Sequence, residues 1–303
     1  MKRVFTLCAI FIMVGYISEA NAERTVKVVA SFSILGDIVK NIGKDKVEVT
    51  NLVGPNGDVH VFEPTPAAAR AVGEADLVVV NGLGLEGWMD RLIKTSGYKG
   101  MVVVASKGVK PRQMLDEDHG GKTGRQVTDP HAWQDIQNGV LYVGNIVEGL
   151  NSVDPAGAAS YNANADAYRA DLLDLDKWVK SELSEIPVQK RRMITSHDAF
   201  GYLGSAYGVS ILSPMGFSTE SQPSASAVKK LIRQVKAEKI TAVFIENVSD
   251  PRMVEQIARE GGVTLGGELY SDALSKPDGP ASTYIDMFKN NITKLVAAMK
   301  KGL

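Results

Sequence analysis

Apolar positions along this chain fall into short runs separated by stretches of helical spacing. Val26 to Phe32 (VKVVASF) predicts a strand, and Ile34, Leu35, Ile38, Val39 and Ile42 then follow at helical steps. Val47 to Val53 alternates apolar and polar residues and runs into the turn cluster Gly54-Pro55-Asn56-Gly57. Leu77 to Val80 and Met101 to Ala105 are continuous apolar runs, the pattern of strands buried on both faces of a parallel sheet. Helical stretches, Pro66 to Ala75 and the segment around Trp88 to Ile93, lie between them. The second half repeats the theme. Arg192 to Thr195, Val209 to Leu212, Ala242 to Ile245 and Val263 to Leu265 predict strands, and Val228, Leu231, Ile232 and Val235 form a helical stripe. Alternating strand and helix predicts an α/β protein, each half a parallel sheet flanked by helices.

The middle segment differs. Asp154-Pro155 offers a capping carboxylate followed by proline at a first helical position. From there Tyr161, Tyr168, Leu172, Leu175, Val179, Leu183 and Ile186 keep one face apolar, and no proline intervenes before Pro187. A continuous helix of ~30 residues would be ~45 Å long, enough to cross two lobes. It reads equally as a long surface helix or as a connecting rod, and its place between two β-α halves favours the rod. The expected division is residues 1–22 as a signal segment, 23–153 as a first lobe, 154–187 as the connecting helix and 188–303 as a second lobe.

The start of the chain supports that division. Lys2 and Arg3 precede an apolar stretch, Val4 to Ile17, and Ala20-Asn21-Ala22 ends it with small residues, so cleavage is expected before Glu23. The apolar stretch is shorter than the ~20 residues of a spanning helix. Cys8, the one cysteine, lies inside it and not at the cleavage point, so no lipid attachment is expected. The remaining chain then has neither a disulfide nor a thiolate ligand, and the expected location is a bacterial periplasm. Without Lys2, Arg3 and Glu19, 32 basic and 34 acidic residues remain. That balance gives no basic excess for nucleic acid or an anionic membrane.

Candidate chemistry sits in the loops. The chain has four histidines. Three of them, His60 in GDVHVFEPTP, His131 in TDPHAWQD and His197 in ITSHDAFGYL, follow strand-like runs, and Asp272 lies in a fourth such loop, GGELYSDALS. Imidazole and carboxylate are ordinary ligands of divalent transition metals, and ligands in open α/β sheets bind beyond the carboxyl ends of strands. His60 and His131 from the first lobe and His197 and Asp272 from the second can therefore close a mononuclear site. The spacing alone leaves three unrelated loop histidines equally open. Four filled positions, no HExxH and no G-x-S-x-G weigh against a secreted zinc hydrolase, and no adhesive repeat or sorting signal supports a surface adhesin.

The stretches SFSILGDIVKNIGKDKVEVTNLVGPNGDVHVFEPTP, ADLVVVNGLGLEGW, TDPHAWQD, TSHDAFGYLGSAYG and GGELYSDALS with GPASTYIDMFKNN occur in an order that spans most of the chain. Together they resemble the solute-binding proteins of bacterial ABC importers for zinc and manganese, the group whose lobes are joined by one long helix. The resemblance implies His60, His131, His197 and Asp272 as ligands of one Mn2+ or Zn2+ ion, no catalysis, a membrane permease as partner and a monomeric receptor. Two departures stand out. The first site reads Asp58-Val59-His60 where the family often has Asp-Pro-His, and the third ligand is His197 where many manganese binders carry glutamate. More nitrogen favours zinc. The histidine-rich run of many zinc binders is replaced by Asp116-Glu117-Asp118-His119-Gly120-Gly121, read as a solvated acidic loop, so His119 is not a candidate ligand. Asp58 and Asp129 can shape the ligand turns, and Glu63 and Asp198 can orient imidazoles, but each taken singly reads more readily as an ordinary helix-cap or surface carboxylate; Trp133 is expected to pack in the core beside His131. Release is expected to begin with strain on the second-lobe pair, His197 and Asp272.

Overall fold

A computed structural model describes residues 24–116, 125–216, 218–219 and 225–302. The signal segment and His119 lie outside these residues. The first lobe is a parallel sheet of β1 (Val26–Phe32), β2 (Val47–Val53), β3 (Leu77–Val80) and β4 (Met101–Val104) in the order β2-β1-β3-β4. Helices α1 (Ser33–Gly43), α2 (Pro66–Gly73), α3 (Met89–Ser96) and α4 (Ile136–Val153) flank it. Its apolar runs became strands because β1 and β3, in the middle of the sheet, are covered on both faces: Val28, Ala30, Leu77, Val78 and Val79 are all buried.

An antiparallel hairpin, β5 (Gln113–Asp116) with β6 (Arg125–Thr128), precedes the His131 loop. Four-residue strands rich in polar side chains give no readable periodicity, so the hairpin was not expected. After α4, a single 3-10 turn at Pro155–Gly157 leads into α5 (Ala158–Ser184), which runs for 27 residues. Its expected apolar stripe is buried throughout, from Tyr161 at 0% exposure to Leu183 at 1%. The Asp154 carboxylate does not cap the helix; it accepts a hydrogen bond from the Tyr161 hydroxyl at 2.7 Å instead.

The second lobe repeats the parallel arrangement. Strands β7 (Arg192–Ile194), β8 (Ser210–Leu212), β9 (Ala242–Glu246) and β10 (Leu265–Leu269) pair in the order β10-β9-β7-β8, with α6 (Gly201–Tyr207), α7 (Ala225–Glu238), α8 (Arg252–Gly261) and α9 (Tyr284–Lys300) around them. Strand β10 starts two residues later than the apolar triplet Val263 to Leu265 suggests. It carries Gly266-Gly267 and a register shift between Leu265 and Glu268, with Gly267 at φ +113°, so the paired segment has no apolar run to read.

Helix α5 packs on α1 and α4 of the first lobe and on α6 and α9 of the second. One hydrophobic core consequently runs from Phe32 and Tyr142 through Leu172 to Phe244 and Phe288, while a smaller cluster around Val235, Val243 and Ile257 holds α7 and α8 to the second sheet. Asp176 of α5 adds polar ties. It accepts hydrogen bonds from Gln137 of α4 at 3.1 Å, Tyr207 of α6 at 2.8 Å and Lys180 at 2.6 Å. Among the described residues no helix is long and apolar enough to cross a membrane.

Candidate metal centre

Each candidate ligand leaves the carboxyl end of a strand. His60 follows β2, His131 follows β6, His197 lies three residues after β7, and Asp272 lies three after β10. The structure brings all four together between the lobes. Their ligand atoms lie within 4.8 Å of one another. His131, His197 and Asp272 are fully buried, and the His60 side chain is 4% exposed, marking the open side.

The spacing can be compared with what an ion requires. A tetrahedral shell of ~2.0–2.1 Å bonds has edges of about 3.3 Å. Here Asp272 Oδ2 is 3.1 Å from His197 Nε2 and 3.2 Å from His60 Nε2, and the Nε2 atoms of His60 and His131 are 3.4 Å apart. The other carboxylate oxygen, Oδ1, lies 3.7 Å from His131 Nε2, so both oxygens of Asp272 face the imidazoles. Among the described residues the donors that face the buried Asp272 carboxylate are the imidazoles themselves, so its charge is met only while they carry protons or a cation takes the protons' place.

Carboxylates behind the rings fix their direction. Asp129 Oδ1 accepts the His131 backbone N–H at 3.0 Å and faces its Nδ1 at 2.9 Å. Glu246, the last residue of β9, does the same for His197: Oε1 accepts the backbone N–H at 2.9 Å, and Oε2 lies 2.7 Å from Nδ1. Both imidazoles thus present Nε2 to the centre. Asp58 Oδ1 accepts the His60 backbone N–H at 2.9 Å, and its Oδ2 accepts the Thr219 hydroxyl of the second lobe at 2.5 Å. Asp58 and Asp129 therefore shape the ligand turns and are not plain surface carboxylates. Glu63 is exposed, and Asp198 faces Asp129 and Arg112 while its backbone N–H bonds Gly216. The imidazole-orienting carboxylate of His197 is Glu246, 49 residues away in sequence, which no local spacing rule could supply. Trp133 is fully buried, with its ring 5.3 Å from that of His131.

Burial pushes the His197 imidazole down, but the Glu246 and Asp272 carboxylates outweigh it and hold the group well above its ordinary value. For Asp272 burial pushes up, and the imidazoles of His197 and His131 outweigh it, keeping the carboxyl well below the usual range. The carboxylates on either side of the His197 ring thus favour positive charge at the point where the four side chains converge.

The two second-lobe residues are held differently. Trp133 Nε1 and Gln134 Nε2 of the first lobe both donate to the Ser271 carbonyl, at 2.9 and 2.8 Å. Ser33 Oγ accepts from Leu274 N at 3.0 Å, and Leu274 O accepts from Asn56 N at 2.9 Å. The Asp272 loop is thus strapped to the first lobe. His197 is bonded within its own lobe, through Glu246 and Thr195. The expected shared strain on His197 and Asp272 does not follow from this bonding.

Two parallel-sheet lobes on a helical rod, with three imidazoles and a carboxylate converging between them, define a rigid two-lobed metal-binding protein. Residues 28–298 match the family described as zinc-uptake complex component A, periplasmic, and the chain belongs to that family. It is 33% identical to the manganese-binding lipoprotein MntA of Halalkalibacterium halodurans, over 99% of this chain and 100% of that one. It is 32% identical to the iron-binding protein YfeA of Yersinia pestis, over 95% and 93% of the two chains. Among solved structures, the periplasmic zinc-binding protein TroA of Treponema pallidum superimposes with a TM-score of 0.84 at 30% identity, covering 91% of this chain and 99% of that one. A manganese-bound periplasmic metal-binding protein of Candidatus Liberibacter asiaticus gives 0.79 at 32%, covering 91% and 100%. The expectation of a chain without a lipid anchor is not borne out by these relatives, since MntA is named a lipoprotein.

Proposed function

We propose that this protein captures one divalent transition metal, manganese or zinc, outside the cytoplasmic membrane and hands it to the permease of an ABC importer. His60, His131 and His197 bind it through Nε2 and Asp272 through its carboxylate. The observation that carries this reading is the convergence of four buried or nearly buried side chains whose ligand atoms lie within 4.8 Å of one another, with Asp272 Oδ2 3.1 Å from His197 Nε2 and 3.2 Å from His60 Nε2. Three nitrogens and one oxygen suit zinc; both oxygens of Asp272 facing the imidazoles suit manganese, which takes a larger shell. Names among its relatives span manganese, zinc and iron, which supports a receptor that accepts more than one of these ions. The metal is cargo. Four protein ligands fill the tetrahedral shell and leave no open position for an activated water, so the protein acts as a receptor without catalysis. It works as a monomer, with lobes at residues 23–153 and 188–303 joined by the segment 154–187.

Titration of the metal-stripped protein with zinc and with manganese tests this. One equivalent binds to the native chain, and alanine at His131, His197 or Asp272 lowers the affinity at least tenfold. Undiminished affinity in the His197→Ala variant would remove that residue from the set.

A further inference from the structure

Arg112 lies just before β5, away from the four converging ligands, yet three of its atoms reach toward them. None of its bonds goes to a converging ligand itself: Nη1 donates to Asp129 Oδ2 at 2.9 Å, and the carbonyl accepts from Asp129 N at 2.9 Å. Its own backbone N–H donates to the Tyr202 hydroxyl at 2.9 Å, across the lobe boundary on α6. Asp129 is the carboxylate behind His131, and its Oδ1 is already committed to that residue. Arg112 takes the remaining oxygen, so the carboxylate cannot rotate and the His131 ring keeps one direction.

The second lobe makes room for this cation. A methyl group at Gly201 would lie 2.1 Å from Arg112 Nη1 and 2.7 Å from Asp129 Oδ2, so only glycine lets α6 approach. Helix α6 begins at Gly201, four residues after His197. One cation therefore sits between the support of His131 and the loop of His197.

We propose that Arg112 is an interlobe positioning residue: it locks Asp129 behind His131, ties that unit to α6 beside the His197 loop, and so slows the departure of bound metal. The proposal rests on the metal-receptor reading above. Removing the guanidinium frees Asp129 to rotate and takes away the cation against which α6 packs at Gly201, while the backbone bond to Tyr202 stays. Outer-shell partners of metal ligands typically change affinity 10–100-fold, and here the change falls mainly on the dissociation rate.

The test compares the native chain with Arg112→Met, Arg112→Lys and Gly201→Ala, each loaded with zinc and then mixed rapidly with excess chelator. Circular dichroism of each metal-free variant reports folding. Arg112→Met and Gly201→Ala are expected to release zinc about 10–100-fold faster. Arg112→Lys, which keeps a cation within reach of Asp129 Oδ2, should stay within a few-fold of native. Should Arg112→Met fail to fold, Gly201→Ala displaces the same guanidinium with the arginine still in the chain. Native release rates in folded Arg112→Met or Gly201→Ala overturn the proposal, as does equal acceleration in Arg112→Lys. A native chain that binds no zinc would instead overturn the receptor reading itself.

Discussion

At His197 one imidazole faces two carboxylates, Glu246 on Nδ1 and Asp272 on Nε2. Only the Nε2 side can take metal, so Glu246 decides which tautomer is ready. Glu246→Gln replaces one of two acceptors with a donor, leaving either the backbone N–H or Nδ1–H of His197 unmatched. We expect zinc affinity to fall about 10–100-fold, read by competition with a chelating dye. The raised affinity of His197 for protons has a further consequence. In the metal-free protein the group remains protonated above the ordinary histidine range, and metal must displace that proton. Apparent affinity should therefore rise about tenfold per pH unit through and above pH ~6.5, levelling once His197 is neutral. Asp272, held well below the usual carboxylate range, stays ionised throughout and adds no slope. Titrations at pH 6, 7 and 8 that give equal affinities would contradict this. The four converging residues were legible because histidine is scarce and each lies beyond a strand-like run. Glu246 and Arg112 were not, since they act on partners that only the packing of β9 and β5 brings near.

The connecting helix shows how one stripe of apolar residues can join two lobes. Leu172 and Val179 are at 0% exposure, and the same helix face that meets α1 and α4 continues onto α6 and α9. Leu172→Ala should cost ~2–5 kcal/mol in urea denaturation, the range for a buried leucine. Because the helix carries none of the four converging residues, the folded variant should titrate zinc with native affinity. A large affinity loss would show that the rod sets ligand geometry directly. Strands β1, β2 and β3 occupy the residues that their apolar patterns delimit, because sheet burial is written in consecutive or alternating side chains. The hairpin β5–β6 escaped notice, and the glycine-bearing β10 was expected two residues too early, because their pairing rests on backbone hydrogen bonds and their side chains record little of it.

Taken together, the bonds that cross the cleft divide the centre unequally. Ser271 and Leu274 are fastened to the first lobe by four hydrogen bonds, whereas Tyr202 and Thr219 make one each, so we expect Asp272 to stay with His60 and His131 and His197 to move with its lobe. Hydrogen exchange before and after chelation should show loss of protection at residues 195–200 with little change at 271–275. No reading of the sequence could predict that partition, because the Asp272 loop belongs to one lobe by chain order and to the other by bonding. The most direct test of the account is anomalous diffraction from crystals grown with zinc and with manganese. It predicts a single interlobe peak, with His60, His131 and His197 Nε2 and an Asp272 oxygen at about 2.0–2.2 Å from zinc. A peak elsewhere, or none at this centre in protein that has bound metal in solution, would contradict it.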